Sequence, residues 1–372
     1  MASSKDFEKI WESYQEVVKT KDISIVDYCL IRVRLLEEKT IQNLKICANI
    51  FKVMADEKYS NRVFDKAHLL EVTIDEDDIM SFLVKMDIGD DNKLRYPANE
   101  LARLVLSVLP EYVFQWHEGI SLEDAMSKVS EAAKRLYETD PYKVMRAYYI
   151  NNIRDEETVD KVKKLQENNR GEFGELLLHL LLRDFKGTMP LMSKVYFSDA
   201  RGVPAHGFDA VHYIPETKQL WLGESKLYGN GKSGLKSLIG DLREHLTRDY
   251  MHEQFVIIQK NLRTQSNTDK EEWIKRFQKN ERLVDMIEGL NLAMLCLYPH
   301  DIYQKLLEKT LSESEKLEYH KTNIRELKSF FDDHNDCPVK DRVNIVLLLF
   351  PVKDKDEFVS SLHQKLWLAQ QL

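Results

Sequence analysis

Apolar and polar positions follow two different rhythms along this chain of 372 residues. Over the first 150 the step is three or four: Phe7, Ile10, Trp11, Tyr14 and Val17 form one stripe, and Ile41, Leu44, Ile50 and Met54 another. Such spacing gathers apolar side chains on one side of a helix and predicts amphipathic helices packed on one another. Asp75-Glu76-Asp77-Asp78, just before Ile79 and Met80, reads as the acidic cap of a further helix. Tyr96 to Glu100 marks a break, after which Leu101, Leu104, Val105 and Val108 resume the helical stripe.

Thr139-Asp140-Pro141 has turn chemistry and Asn168-Asn169-Arg170-Gly171 is polar. A soft boundary between residues 140 and 165 therefore divides a helical N-terminal region, 1–155, from a second unit, 156–372. Beyond it the rhythm is mixed: a helix over 172–185, strands near 192–198, 206–214 and 219–227, and a helix near 233–250. Phe255 to Ile258, Leu292 to Leu297 and Val343 to Phe350 read as further strands, and 356–370 as a closing helix. The fold class expected is α+β, a helical N-terminal region followed by a core with a central mixed sheet flanked by helices.

Composition acts by exclusion. With 13 Gly and 9 Pro a many-turn all-β architecture is disfavoured, and 43% hydrophobic against 31% charged residues excludes disorder for most of the chain. Apolar runs such as Val346 to Phe350 fall far short of the ~20 residues a membrane helix needs, so no membrane is expected. The first residues carry no apolar stretch with a cleavage site, which points to the cytoplasm. Cys29, Cys47, Cys296 and Cys337 lack a C-x-x-C pair and read as reduced thiols. The net charge of -8 rules out a basic coat protein, yet residues 1–150 hold 21 Lys and Arg against 27 Asp and Glu. The later part is close to balanced and leaves room for a local basic groove.

The chemistry concentrates between Gly171 and Lys226. His206 to Val211 and Leu220 to Lys226 are apolar segments separated by the turn-like Pro215-Glu216-Thr217-Lys218. A hairpin centred on Glu216 and Thr217 sets Asp209 directly opposite Glu224 with Cβ atoms ~5 Å apart, and the two-residue period adds Lys226 to the same face. Two acids placed opposite each other call for a cation. A hard divalent ion, Mg2+ or Mn2+, meets that need and leaves room for water and a phosphate oxygen. Lys226 then orients or helps deprotonate an attacking water and stabilises charge developing on the phosphate. A third acid commonly completes such a site; Glu175 or Glu172 supplies it from the helix of Gly171 to Leu178, with Glu175, nearer the apolar run, preferred.

An acid on a helix, then Asp209, then Glu224-Ser225-Lys226, is similar to the pattern of the PD-(D/E)xK nuclease superfamily, with Gly207-Phe208-Asp209 where the family has Pro-Asp. More narrowly, 170–179 (RGEFGELLLH), 206–212 (HGFDAVH) and 220–228 (LWLGESKLY) resemble HamA, the nuclease subunit of Hachiman-type antiphage systems. The likeness covers roughly residues 165 to 350. It implies a metal-dependent DNA endonuclease in a hetero-oligomer with a helicase, HamB. Glu175, Asp209 and Glu224 would hold the metal, the Ser225 carbonyl would add a ligand, and Lys226 would assist attack of water.

Other features weigh less. His206 and His212 fall on the strand face opposite Asp209 and read as core or surface histidines, and His245 and His252 lack zinc spacing. Gly229 to Gly234 fails the phosphate-loop spacing but opens a helix, so Lys232 and Lys236 are candidates for a DNA phosphate. Lys260 and Arg263 begin a basic stretch running through Arg282 that offers a phosphate-backbone surface. Two rivals stand beside the DNA nuclease: an RNA-cleaving nuclease of the same fold, and a non-catalytic interaction subunit whose acidic hairpin packs on a partner.

Overall fold

The computed structural model describes residues 69–114, 122–136, 144, 147–148, 151–168, 171–193, 207–214, 217, 219–264 and 282–370. The N-terminal stripes at 7–17 and 41–54, the break at 139–141, His206 and most of the basic stretch after Arg263 lie outside them. The strands are β1 (Leu70–Asp75), β2 (Ile79–Val84), β3 (Asp87–Ile88), β4 (Leu94–Arg95), β5 (Met189–Ser193), β6 (Ala210–Ile214), β7 (Gln219–Leu227), β8 (Leu290–Pro299) and β9 (Asn344–Val352). The helices are α1 (Ala98–Ser107), α2 (Leu109–Phe114), α3 (Leu122–Leu136), α4 (Glu156–Asn168), α5 (Gly171–Lys186), α6 (Gly231–His245), α7 (Arg248–Thr264), α8 (Leu283–Ile287), α9 (Ile302–Leu307), α10 (Glu313–His334) and α11 (Lys355–Ala369).

Among the described residues a seven-stranded sheet runs in the order β1-β2-β9-β8-β7-β6-β5, with β3 and β4 as a separate small hairpin. β7, β8, β9 and β2 are mutually parallel, and β1, β6 and β5 add antiparallel pairs at the two edges. β8 is buried along almost its whole length, which explains its near-continuous apolar sequence: helices cover both faces of a parallel centre. Two apolar cores result. One gathers Trp221, Leu295, Leu348 and Phe350 under α1, α5 and α11; the other gathers Leu222, Met294, Leu347 and Leu349 under α6, α7 and α10. Helix ends follow the sequence: Asn230 accepts the Ser233 amide (2.8 Å) to start α6, Ser312 and Glu315 form a capping box on α10, and Asp354 caps α11.

The mixed sheet flanked by helices is as expected, and β7 and α5 fall where the sequence puts them. Two expectations fail. Asp75 to Asp78 caps no helix; it turns β1 into β2, and Glu76 and Asp78 pair with Arg325 and Lys328 of α10. The following run Ile79–Val84 is buried at every position, because it lies between β1 and β9, and it lacks the polar face a helix would show. The second failure is Phe255 to Ile258, which belongs to α7: Met251, Phe255 and Ile258 are buried at helical spacing while Val256 is exposed. Residues 69–136 thus share a sheet and a core with residues 171–369. Among the described residues no helix is long and apolar enough to cross a membrane.

Candidate active site

The register of the β6–β7 hairpin decides whether the acids meet. Ala210 pairs with Gly223, Val211 with Leu222 and Tyr213 with Leu220, so one step further Asp209 stands opposite Glu224. Asp209 itself occupies a bend just before β6 begins, and its Oδ2 accepts both the Ser225 amide (2.9 Å) and the Ser225 hydroxyl (2.8 Å). The acid is thereby anchored across the strand gap by the residue between Glu224 and Lys226.

Side chains of β7 alternate between the two cores. Leu220 and Leu222 point to the core under α6, and Glu224 and Lys226 continue that face. There α6 supplies a contact to each: Glu224 Oε1 lies 2.9 Å from His245 Nδ1, and Lys226 Nζ lies 2.7 Å from Asp241 Oδ2. Burial pulls the Lys226 pKa down, but Asp241 first, then the charges of Glu224 and Asp209, outweigh it and leave the group above the ordinary lysine value. His245 is held below the usual imidazole range, chiefly by burial and against the pull of Asp241, Glu244 and Asp209. Phe208, Gly223, Glu224, Asp241 and His245 line a small cavity at this point.

The opposite face belongs to α5. Gly174 lets the helix come close to β7, since a Cβ there would stand 2.8 Å from Ser225 Oγ and 2.5 Å from Leu227 Cδ1. The next residue, Glu175, is buried and accepts a hydrogen bond from the Tyr112 hydroxyl at 2.8 Å. Burial, followed by the Glu175 charge, drives the Tyr112 pKa well above that of an ordinary phenol, and Asp209 and Glu172 add to the push. Glu172, half-buried on the first turn of α5, therefore shares the negative field of the site. Behind Tyr112 runs a buried polar chain: His179 Nδ1 meets His212 Nε2 at 3.1 Å, His212 Nδ1 meets Thr188 Oγ1 at 2.8 Å, and Arg183 pairs with Glu111. His212 is a core histidine, as expected.

The three acids are divided between the two faces of the hairpin: Glu224, with Lys226, looks toward α6, while Glu175 and the Ser225 anchor of Asp209 lie on the α5 side. As they stand, each is engaged by a neighbour, Asp209 by Ser225, Glu224 by His245 and Glu175 by Tyr112. Among the described residues no three His, Cys, Asp or Glu side chains are gathered closely enough to hold a metal. Ser225 contributes its amide and hydroxyl here, both to Asp209.

Lys232 and Lys236 are exposed but stand on the other flank of α6, over the Phe330 ring (5.7 and 5.9 Å), where Arg243 also pairs with Asp336. Asp241 and His245 leave from the flank facing the hairpin, so the structure does not bring these lysines to the acids. Lys260 and Arg263 fall in the last turns of α7, and their side chains lie outside the described residues. Tyr112, Asp241 and His245 are site neighbours the sequence reading did not select. The four-residue spacing of Asp241 and His245 on the helix after the Glu-x-Lys strand was a usable signal; nothing near Tyr112 in the sequence marks it.

The fold is that of an α/β protein in which buried acids lie on both faces of the β6–β7 hairpin, between α5 and α6. The HamA family model matches residues 57–366, and the chain belongs to the HamA family, that of the Hachiman antiphage defence proteins. The match takes in β1, β2 and α1 to α3 as well as the hairpin. No curated protein matches the chain.

Proposed function

We propose that this Hachiman protein is the metal-dependent DNA endonuclease of its defence system and works with a helicase partner. The observation that carries the reading is the hairpin register, which sets Asp209 opposite Glu224 with Lys226 two residues on. Asp209, Glu224 and Glu175 would hold Mg2+ or Mn2+, with Glu172 and the Ser225 carbonyl as further oxygen donors. When bound, such an ion supplies Lewis acidity and a lowered water pKa. Occupancy competes with the contacts of Glu224 to His245 and of Asp209 to Ser225. The Lys226 ammonium, which feels the charge of both acids, would stabilise negative charge developing on the phosphate and orient the water that attacks it. The HamA family belongs to a multi-protein system, which supports a partner. A net charge of -8 is consistent with DNA affinity supplied largely by that partner.

The competing reading is a non-catalytic interaction subunit, and the pairing of every site acid within the chain is the observation on its side. Cleavage of supercoiled and linear DNA with Mg2+ and with Mn2+ decides between them, each with and without the helicase. Wild-type cleavage that disappears in folded Glu224→Ala and Lys226→Ala establishes the nuclease. Cleavage of RNA in its place redefines the substrate, and no cleavage under any condition hands the site to the interaction reading.

A further inference from the structure

A lysine ammonium sits at the end of four methylenes, and without a partner it samples many rotamers. Lys226 has one. Its Nζ lies 2.7 Å from Asp241 Oδ2, and the two side chains are only 26% and 18% exposed. Asp241 belongs to α6, which returns along β7, so residue 241 comes over Lys226 and, one turn later, residue 245 comes over Glu224. The apolar packing of this helix rests on Leu235, Leu238, Ile239 and Leu242. His245 is itself fixed, stacked on Tyr250 (centroids 4.2 Å apart) and edge-on to Phe208. One flank of a well-anchored helix thus grips both charged residues of the strand.

We infer that Asp241 is a positioning residue of the nuclease site, whose carboxylate fixes the Lys226 ammonium beside Asp209 and Glu224 before a phosphodiester arrives. The inference rests on the nuclease reading and extends it to a helix which the Glu-x-Lys pattern does not reach. Orientation of a charged group at a reacting centre is worth much in rate, and a displacement of about 1 Å can cost ~100-fold.

Two measurements on the full-length protein, with the helicase wherever wild-type cleavage requires it, test the assignment. Limiting acetic anhydride followed by peptide mass spectrometry reads the reactivity of Lys226 against that of exposed Lys232. Asp241→Ala should raise the ratio relative to wild type, and Asp241→Asn, which keeps the shape, should raise it less. In single-turnover cleavage, both variants should lose about 10- to 100-fold in rate at saturating DNA, as removal of a supporting partner typically does. Both variants should remain folded at the assay temperature and keep wild-type DNA affinity, and Asp241→Glu should recover part of the rate. An unchanged or increased rate in Asp241→Ala overturns the positioning role while leaving the nuclease reading intact. An unchanged acetylation ratio overturns it as well, whatever the rate. If wild type cleaves nothing, the nuclease reading itself falls and the assignment with it.

Discussion

His363 on α11 and His320 on α10 are buried imidazoles, and each carries a consequence for pH. Burial alone pushes the His363 pKa down to about 4. Burial, helped by the charges of His300, Lys316 and Lys321, takes His320 to about 3, while its Nε2 meets Thr73 Oγ1 at 2.8 Å. In the unfolded chain both return to about 6.5. Below that pH the unfolded state binds protons that the native state refuses, so the unfolded state is favoured on acidification. Stability is therefore full above pH 6.5 and is lost as pH falls toward 4 for His363 and toward 3 for His320. At pH 5.5, about one unit below the unfolded value, each histidine should cost ~1.4 kcal/mol. Urea midpoints at pH 7.5 and 5.5 check this: wild type should drop between them, and folded His363→Gln should drop less. An equal drop in the variant would remove His363 from the account.

The helix that bears Glu175 reaches β7 only because Gly174 is bare. A Cβ there would meet Leu227 Cδ1 at 2.5 Å and Ser225 Oγ at 2.8 Å. Gly174→Val should push α5 outward, with a stability loss of ~1–3 kcal/mol by overpacking. Because Glu175 and the anchor of Asp209 both lie at that contact, cleavage should fall further than the population of folded protein explains. Thermal melting and cleavage on one preparation check it, and a rate reduced only in step with unfolding denies α5 a role in the site. This element also shows what sequence can and cannot carry. The α5 leucines and the β7 alternation are periodic, and the hairpin pairing follows from a short turn, so the register that sets position 209 opposite 224 was legible, whereas the turn of the Asp209 carboxylate to Ser225 was not. β2 was not, because a strand buried on both faces loses its alternation and four acids before it mimic a cap. The valine and isoleucines of α7 likewise suggested a strand until packing against β5 and β6 settled the period. Tyr112, Asp241 and His245 come from elements whose approach to the hairpin depends on the whole sheet order, which no local pattern encodes.

At the scale of the molecule, a net charge of -8 attracts cations everywhere, so metal effects on stability must be separated from screening. Around the hairpin, Asp209, Glu224 and Asp241 all act on the charge of Lys226. Binding of a divalent ion to the native acids alone would stabilise the fold by RT ln(1 + [L]/Kd), about 2.7 kcal/mol at a hundred times Kd. General screening would act without regard to any one acid. Mn2+ should therefore raise the wild-type melting temperature at constant ionic strength, where sodium replaces the displaced charge. Glu224→Gln should lose that rise. The same variant removes one negative charge from the group, so its melting temperature without metal should equal or exceed that of wild type, because like charges at close range repel. The two shifts have opposite signs, and a merely structural glutamate cannot produce both. A variant that melts lower than wild type without metal yet keeps the full Mn2+ rise would place the ion elsewhere on the molecule and leave Glu224 with a packing role against His245.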